Sequence, residues 1–153
     1  ETEEHFEHLY NFIDRYRFDR LGVFTYSRQM EVPSGHMEDQ IPEKVKKNRQ
    51  KRIMQLQHGI SLSLNEAMVG SRIPVLVESY DESKKLYIGR SQWDAPGIDN
   101  QVYIRESDET VYMAEVNNVL VESAKPYDLY GVACGEDSLS ELVSVVSTKN
   151  KKA

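Results

Sequence analysis

The stretch YIGRSQWDAPGID, residues 87–99, decides how the whole chain is organised. Its first residues, including Ile88 and the small Gly89, predict a β-strand that packs on one face. Pro96 and Gly97 then turn the backbone, because proline fixes φ and glycine accepts positive φ. A turn-rich loop that also carries an arginine, a tryptophan and two aspartates is more typical of a binding surface than of a plain connection.

This loop provides the candidate partner-binding residues, which are Arg90, Trp93, Asp94 and Asp99. Tryptophan is enriched among the residues that dominate binding energy, and carboxylates suit a cationic partner. Two alternatives stay open. In one, Trp93 caps the core of the domain. In the other, Arg90 forms an ion pair with Asp94 or Asp99 and braces the loop.

Alternating apolar and polar residues around the loop predict a small β domain at 69–132. Five strands are predicted, at roughly 72–79, 84–91, 101–105, 111–121 and 126–132. So many short antiparallel strands in so few residues indicate a closed or nearly closed barrel. The tail that follows, 133–153, ends in lysines and is predicted to be partly disordered.

The first 68 residues have a different pattern. Apolar residues at helical spacing predict a helix at 2–17, with Thr2 as its N-cap. The apolar run 21–26 predicts a buried strand, and 43–68 predicts a long helix that ends near Gly70. A helix and a buried strand without the preceding strand indicate part of a larger α/β domain. The predicted fold class is therefore α+β, a domain remnant followed by a barrel.

Charge is distributed unevenly, although the net charge is only -6. Residues 43–68 carry 6 basic and 2 acidic side chains, whereas 69–132 carry 6 basic and 11 acidic ones. An acidic barrel favours a basic partner through electrostatic complementarity. The basic run at 44–52 is either a solvated helix face or a contact for phosphate or for an acidic surface.

The chain has few candidates for catalysis. Cys134 is its single cysteine, which excludes an internal disulfide or a multi-cysteine metal site and favours a reducing, cytoplasmic compartment. His5 and His8 lie three residues apart, but no third metal ligand is near them in sequence. No nucleophile elbow, phosphate loop or zinc-protease motif is present, and no apolar run is long enough to span a membrane. We predict no catalytic and no metal-binding residue.

Several segments nevertheless resemble one family. Residues 18–27, FDRLGVFTYS, and 39–43, DQIPE, are similar to the end of a radical-SAM methylthiotransferase domain. The steps GRS at 89–91, DAP at 94–96 and ID at 98–99 resemble the RimO type of that family. RimO-type enzymes modify an aspartate of a small-subunit ribosomal protein, whereas the tRNA-modifying relatives have a shorter loop without Asp-Ala-Pro.

The resemblance also implies a fold and a cofactor set. Residues 70–131 are similar to the TRAM domain, a five-stranded barrel of the OB-like kind. The whole enzyme would use two 4Fe-4S clusters and S-adenosylmethionine, and would add a methylthio group to the β-carbon of the aspartate. The cysteines that hold those clusters are missing here, so this portion would be inactive alone. By analogy, Phe24 and Tyr26 would lie near the adenine of S-adenosylmethionine.

Two functions follow as hypotheses. In the first, the chain recognises a basic small-subunit ribosomal protein for the missing N-terminal domains of the same enzyme. In the second, it is the RNA-binding TRAM module of a tRNA methylthiotransferase, with a weak RNA contact through helix 44–52. Neither hypothesis involves a membrane.

Overall fold

The computed structural model describes residues 1–97 and 100–135, and the chain divides into two compact units, Glu1–Leu64 and Asn65–Ala153. The first unit contains helix α1 (Glu3–Tyr16), a short 3-10 turn (Pro33–His36) and most of helix α2 (Glu43–Glu66). The second contains the strands, which are β1 (Arg72–Asp81), β2 (Leu86–Ser91), β3 (Val102–Arg105), β4 (Val116–Ala124) and β5 (Leu129–Ala133). The predicted α+β class is confirmed.

Helix α1 begins where the sequence predicts. The Thr2 side chain accepts a hydrogen bond from the backbone N–H of His5, and the His5 ring accepts one from the Thr2 N–H. This reciprocal cap satisfies two amides that have no partner inside the helix. Phe6 and Ile13 then bury one stripe against Ile53 and Ile60 of α2, which forms the core of the first unit.

The predicted strand at 21–26 is wrong, because these residues form no strand in the structure. A strand needs a neighbour that pairs with its backbone N–H and C=O groups, and the described part of the first unit contains no other strand. Side chains of α2 take that role instead. They donate to backbone carbonyls along this segment: Gln57 to Phe18 at 2.7 Å, Gln50 to Val23 at 2.7 Å and Lys46 to Tyr26 at 2.8 Å.

Gly59 lies inside α2 with open space beside it. A Cβ atom built at Gly59 would meet nothing within 4 Å, which excludes a close backbone approach at this position. The last helical residue is Glu66, and a turn then leads to Gly70, whose φ of 85° suits glycine. The predicted helix end is therefore correct to within two residues.

The strands close into a barrel in the order β1-β2-β3-β5-β4. Four of the neighbouring pairs are antiparallel, but β3 and β5 pair in parallel. The parallel pair is a necessity of closure, because strand directions cannot alternate all the way round a ring with an odd number of strands. The prediction of a purely antiparallel barrel is thus corrected at one pairing.

The barrel core consists of inward-facing residues from β1, β3, β4 and β5, and Tyr87 of β2 packs against it. It contains Ile73, Val75, Val77, Val102, Ile104, Val119, Val121, Leu129 and Ala133. Burial alternates along β1 and β5, as expected for strands with one face in a core. Each of the two long strands β1 and β4 contains one irregularity, after Val77 and after Val121, where a bulge increases the local twist that closure requires.

Strand β4 begins later than the sequence predicts, at Val116 rather than at residue 111. Asn117 explains the difference. Its buried amide accepts from the Tyr112 N–H at 2.8 Å and donates to the carbonyls of Tyr112 at 2.8 Å and Glu115 at 3.0 Å. The side chain thus holds 112–115 as a turn, whose end still pairs with β1 through backbone hydrogen bonds of Ala114 and Glu115 to Val77.

Candidate functional site

The predicted partner-binding loop leaves the barrel at the end of β2 as a tightly fixed turn. Ser91 and Asp94 are both buried, and the Ser91 hydroxyl donates to the Asp94 carboxylate at 2.5 Å. The Asp94 N–H donates to the Ser91 carbonyl at 3.3 Å, and the Trp93 N–H donates to the Ser91 hydroxyl at 3.3 Å. The carboxylate of Asp94 therefore organises the turn from inside and is not presented to solvent.

Arg90 braces the same turn from the outer face of β2. Its Nε donates to the Glu78 carboxylate on β1 at 2.9 Å, and its Nη1 reaches the Asp94 carbonyl at 3.4 Å. Among the described residues, the structure pairs the Arg90 guanidinium with the carboxylate of Glu78. Sequence spacing gave no signal for Glu78, because it reaches Arg90 only through the register of β1 and β2.

Trp93 is the accessible member of the predicted set. Its side chain is 41% exposed, and it is absent from the residues that pack against the barrel core. Its backbone is held in place by Ser91, so the ring extends from a fixed point. The fourth predicted residue, Asp99, lies outside the described residues, and so does Ile98.

The acidic character of the barrel is only partly neutralised by its own cations. Arg105 pairs with Glu122 at 2.7 Å, and the hydrogen bonds from that guanidinium lower the pKa of Glu122. Lys84 pairs with Asp81 at 3.3 Å. Within the described part of the barrel unit, several exposed carboxylates make no ion pair and no hydrogen bond, among them Glu82, Asp108 and Glu115. The second unit therefore presents a net negative surface that includes unpaired acids.

The predicted adenine-binding residues border a cavity in the first unit. Phe24 and Tyr26 line a space of about 450 Å³ together with apolar side chains that include Phe6 and Ile41. The Phe24 ring is 92% exposed, and the Tyr26 hydroxyl donates to the Ser34 hydroxyl at 3.0 Å. A flat apolar ring beside an apolar cavity suits one face of a purine.

An ion-pair network in the first unit was not predicted from the sequence. The Arg49 guanidinium is nearly buried, lies over the Phe6 ring and pairs with Glu1 at 2.6 Å and Glu3 at 2.8 Å. Arg52 pairs with Glu3 and Glu7. The hydrogen bond from Arg49 is the main cause of a lowered pKa at Glu3. The sequence carries opposite charges at 1–7 and 49–52, which are compatible with ion pairs between the two segments. Charge alone, however, does not predict that the two helices pack against each other.

No three residues among the histidines, cysteines, aspartates and glutamates of residues 1–97 and 100–135 come close enough together to hold a metal ion. None of the helices described is long and apolar enough to cross a membrane.

Comparison with known proteins identifies the class of the barrel. The family model described as the TRAM domain matches residues 69–134, which contain all five strands and the loop with Trp93. The barrel residues therefore match the TRAM family, as the resemblance of residues 70–131 predicted.

Longer matches relate most of the chain to one kind of enzyme. It is 44% identical over 133 residues to the ribosomal protein uS12 methylthiotransferase RimO of Lachnoclostridium phytofermentans, covering 87% of this chain and 30% of that protein. The RimO proteins of Caldanaerobacter subterraneus and of a Synechococcus strain are 45% and 42% identical over 86% of the chain, which covers 29% and 28% of their lengths. The predicted relationship to RimO-type methylthiotransferases is confirmed, and the chain spans less than a third of these relatives.

Proposed function

We propose that this chain is the substrate-recognition portion of a methylthiotransferase that modifies a small-subunit ribosomal protein. The relatives are named for methylthio transfer to ribosomal protein uS12, and the chain corresponds to a limited share of their length. In the whole enzyme, the expected product is an aspartate that carries a methylthio group on its β-carbon. The observation that carries the proposal is the acidic TRAM barrel with an exposed tryptophan on a fixed turn.

Charge favours a protein substrate over RNA for this barrel. Residues 69–132 have 11 acidic against 6 basic side chains, so RNA phosphates would be repelled. A basic polypeptide would be attracted, and the exposed Trp93 ring offers a surface for its apolar or guanidinium groups. Arg90 and Asp94 support this contact indirectly, because they fix the turn that positions the ring. The tRNA-modifying alternative for the barrel is therefore less favoured.

The catalytic centre of the proposed enzyme belongs to other parts of the protein. Each of two 4Fe-4S clusters would need three cysteines, and this chain contains one, Cys134. We therefore expect the chain to be inactive alone. S-adenosylmethionine, when bound, supplies the transferred methyl group. Phe24 and Tyr26 are suited to packing against its adenine, because they line the apolar cavity of the first unit.

The test measures binding of the whole chain to the purified ribosomal protein by isothermal titration calorimetry. Two variants address the two parts of the proposal. Trp93→Ala removes the exposed ring, and we expect it to weaken binding at least tenfold. The triple variant Glu82→Gln, Asp108→Asn and Glu115→Gln removes unpaired acids, and we expect weaker binding at 50 mM salt and a smaller difference at 300 mM, since exposed charges are screened.

Each variant has a matched control. Tyr112→Ala removes another exposed aromatic ring of the barrel unit, 59% accessible, and should leave affinity unchanged. Glu4→Gln, Asp14→Asn and Glu31→Gln remove the same charge from exposed positions of the first unit. If the two triple variants weaken binding equally, net charge alone explains the attraction and the barrel surface has no special role. Unchanged affinity in Trp93→Ala would refute the tryptophan contact.

A further inference from the structure

The basic segment of α2 separates into two sets of residues. Lys46, Arg49 and Arg52 are engaged within the first unit by acids of α1, by Glu43 or by backbone carbonyls. The other three, Lys44, Lys47 and Lys51, are exposed and make no hydrogen bond or ion pair among the residues that the structure describes. Three of the six basic side chains in this segment therefore stabilise the first unit, and the other three have no partner among the described residues.

The unused lysines share one face of the helix. Successive residues of an α-helix are rotated by about 100°, so Lys44, Lys47 and Lys51 fall within about 60° of one another and span about 10 Å of the axis. The same rotation places them opposite the buried Ile53 and Ile60. We call these three residues the lysine face.

The chemistry of the lysine face differs from that of an ordinary protein interface. Its intervening exposed residue is the polar Asn48, and no apolar side chain lies among the lysines to anchor a partner. Protein interfaces depend on such anchors at their centre, whereas binding to a nucleic-acid backbone depends on cations placed along the path of the phosphates. Flexible ammonium groups bind phosphates as point charges and need no fixed geometry.

We propose that the lysine face binds the phosphate backbone of RNA without reading its sequence. The segments that flank 43–68 in the sequence are net acidic, so the lysine face is a local concentration of positive charge that attracts a polyanion. This site is distinct from the barrel surface proposed for the ribosomal protein, and it stands whether or not the barrel binds that protein. An enzyme with both would contact the protein and the RNA of a ribonucleoprotein through surfaces of opposite charge.

The experiment uses the whole chain and a fluorescein-labelled 20-nucleotide RNA, with binding followed by fluorescence anisotropy between 25 and 200 mM salt. The variant Lys44→Gln, Lys47→Gln and Lys51→Gln should bind at least tenfold more weakly at the lowest salt. The slope of log affinity against log salt should fall by about 2, because each phosphate contact on a single strand contributes about 0.7. Glutamine has a helix propensity close to that of lysine, so α2 should be retained, which circular dichroism checks.

The control removes the same charge elsewhere, with Lys149→Gln, Lys151→Gln and Lys152→Gln. Its RNA affinity should stay close to that of the unchanged chain. Equal losses in the two triple variants would overturn the proposal, since net charge would then be sufficient. A second result would also overturn the proposal: the unchanged chain binds polyglutamate of similar length as tightly as RNA, and the variant at Lys44, Lys47 and Lys51 loses that binding. The lysine face would then bind an acidic polypeptide. Titration with the ribosomal protein, run separately, tests the barrel and not this face.

Discussion

At the scale of single residues, the turns of the barrel depend on polar side chains that satisfy the backbone. Asn117 makes three hydrogen bonds to the segment before β4, and the pair Ser91 and Asp94 closes the turn after β2. Each of these groups is buried, so removal of one partner would leave a polar atom without compensation. The turns themselves therefore require these polar residues, whether or not the residues also contact a partner.

Asp81 gives a prediction about pH at this scale. The hydroxyl of Ser83 and the N–H of Lys84 donate to its carboxylate, which lowers the pKa of Asp81 to about 2 from its usual 3.8. A pKa that is lower in the folded state adds stability above the unfolded value of the pKa, and this stability is lost as pH falls through the folded value. The unchanged protein should therefore lose stability relative to Asp81→Asn between pH 4 and pH 2.

Urea unfolding of both proteins at closely spaced pH values measures this difference. Asparagine can accept the same turn hydrogen bonds without titrating, so it keeps the turn and removes the pH dependence. Glu82→Gln is the matched control, because the neighbouring carboxylate makes no hydrogen bond or ion pair within the described residues and its substitution should leave the pH profile as it was. A stability difference that stays constant from pH 5 to pH 2 would contradict the prediction.

At the scale of elements, the barrel contains the same hairpin feature twice. Gly89 of β2 lies against Leu76 and Val75 of β1, and Gly131 of β5 lies in the same way against β4. In both cases the glycine pairs with the valine that precedes the irregularity of the long strand, Val77 or Val121. A side chain at either glycine would occupy the space where the sheet bends to close.

Substitution of these glycines by alanine is the prediction for this scale. A Cβ at Gly89 would lie 2.5 Å from the backbone oxygen of Leu76, and one at Gly131 would lie closer still to the backbone oxygen of Leu120. We expect each variant to lose about 1–3 kcal/mol of unfolding free energy through overpacking. Denaturant titration followed by circular dichroism measures the loss.

Gly59→Ala in α2 is the matched control for the two barrel glycines. Its added Cβ meets nothing within 4 Å, so alanine should stabilise the helix by about 0.5–1 kcal/mol. The prediction requires opposite signs for the helix and barrel positions. A stability gain from alanine at Gly89 or Gly131 would contradict the prediction, because the barrel would then have space for the added methyl group.

The elements that sequence patterns predicted are those whose signals are local. The cap at Thr2, the long helix from Glu43 and the alternation in β1 are each determined within a few residues. The features that were missed depend on distant partners. The apolar run 21–26 lacks a neighbouring strand, and the link between Arg90 and Glu78 exists only through strand register. Contacts between residues far apart in the sequence were therefore not predictable from local patterns.

At the scale of the whole molecule, each unit has a core of its own. All nine buried residues of the barrel core lie between Ile73 and Ala133. The buried apolar residues of the first unit are fewer, namely Phe6, Ile13, Ile53 and Ile60. The first unit also exposes several large apolar side chains, Phe24 above all. Since burial of apolar area is the main source of stability, the two units should differ in their capacity to fold alone.

The prediction at this scale is that residues 65–153 fold without residues 1–64. The isolated segment should show a cooperative thermal transition at the same temperature as the barrel transition of the whole chain, because its core is complete. Ile104→Ala in the segment should cost about 2–5 kcal/mol, since Ile104 is fully buried in the centre of that core. In the whole chain, Phe6→Ala should leave the barrel transition in place and lower only the stability of the first unit, whose core includes Phe6. A segment 65–153 that melts without cooperativity would contradict the prediction, because its stability would then depend on residues outside the barrel.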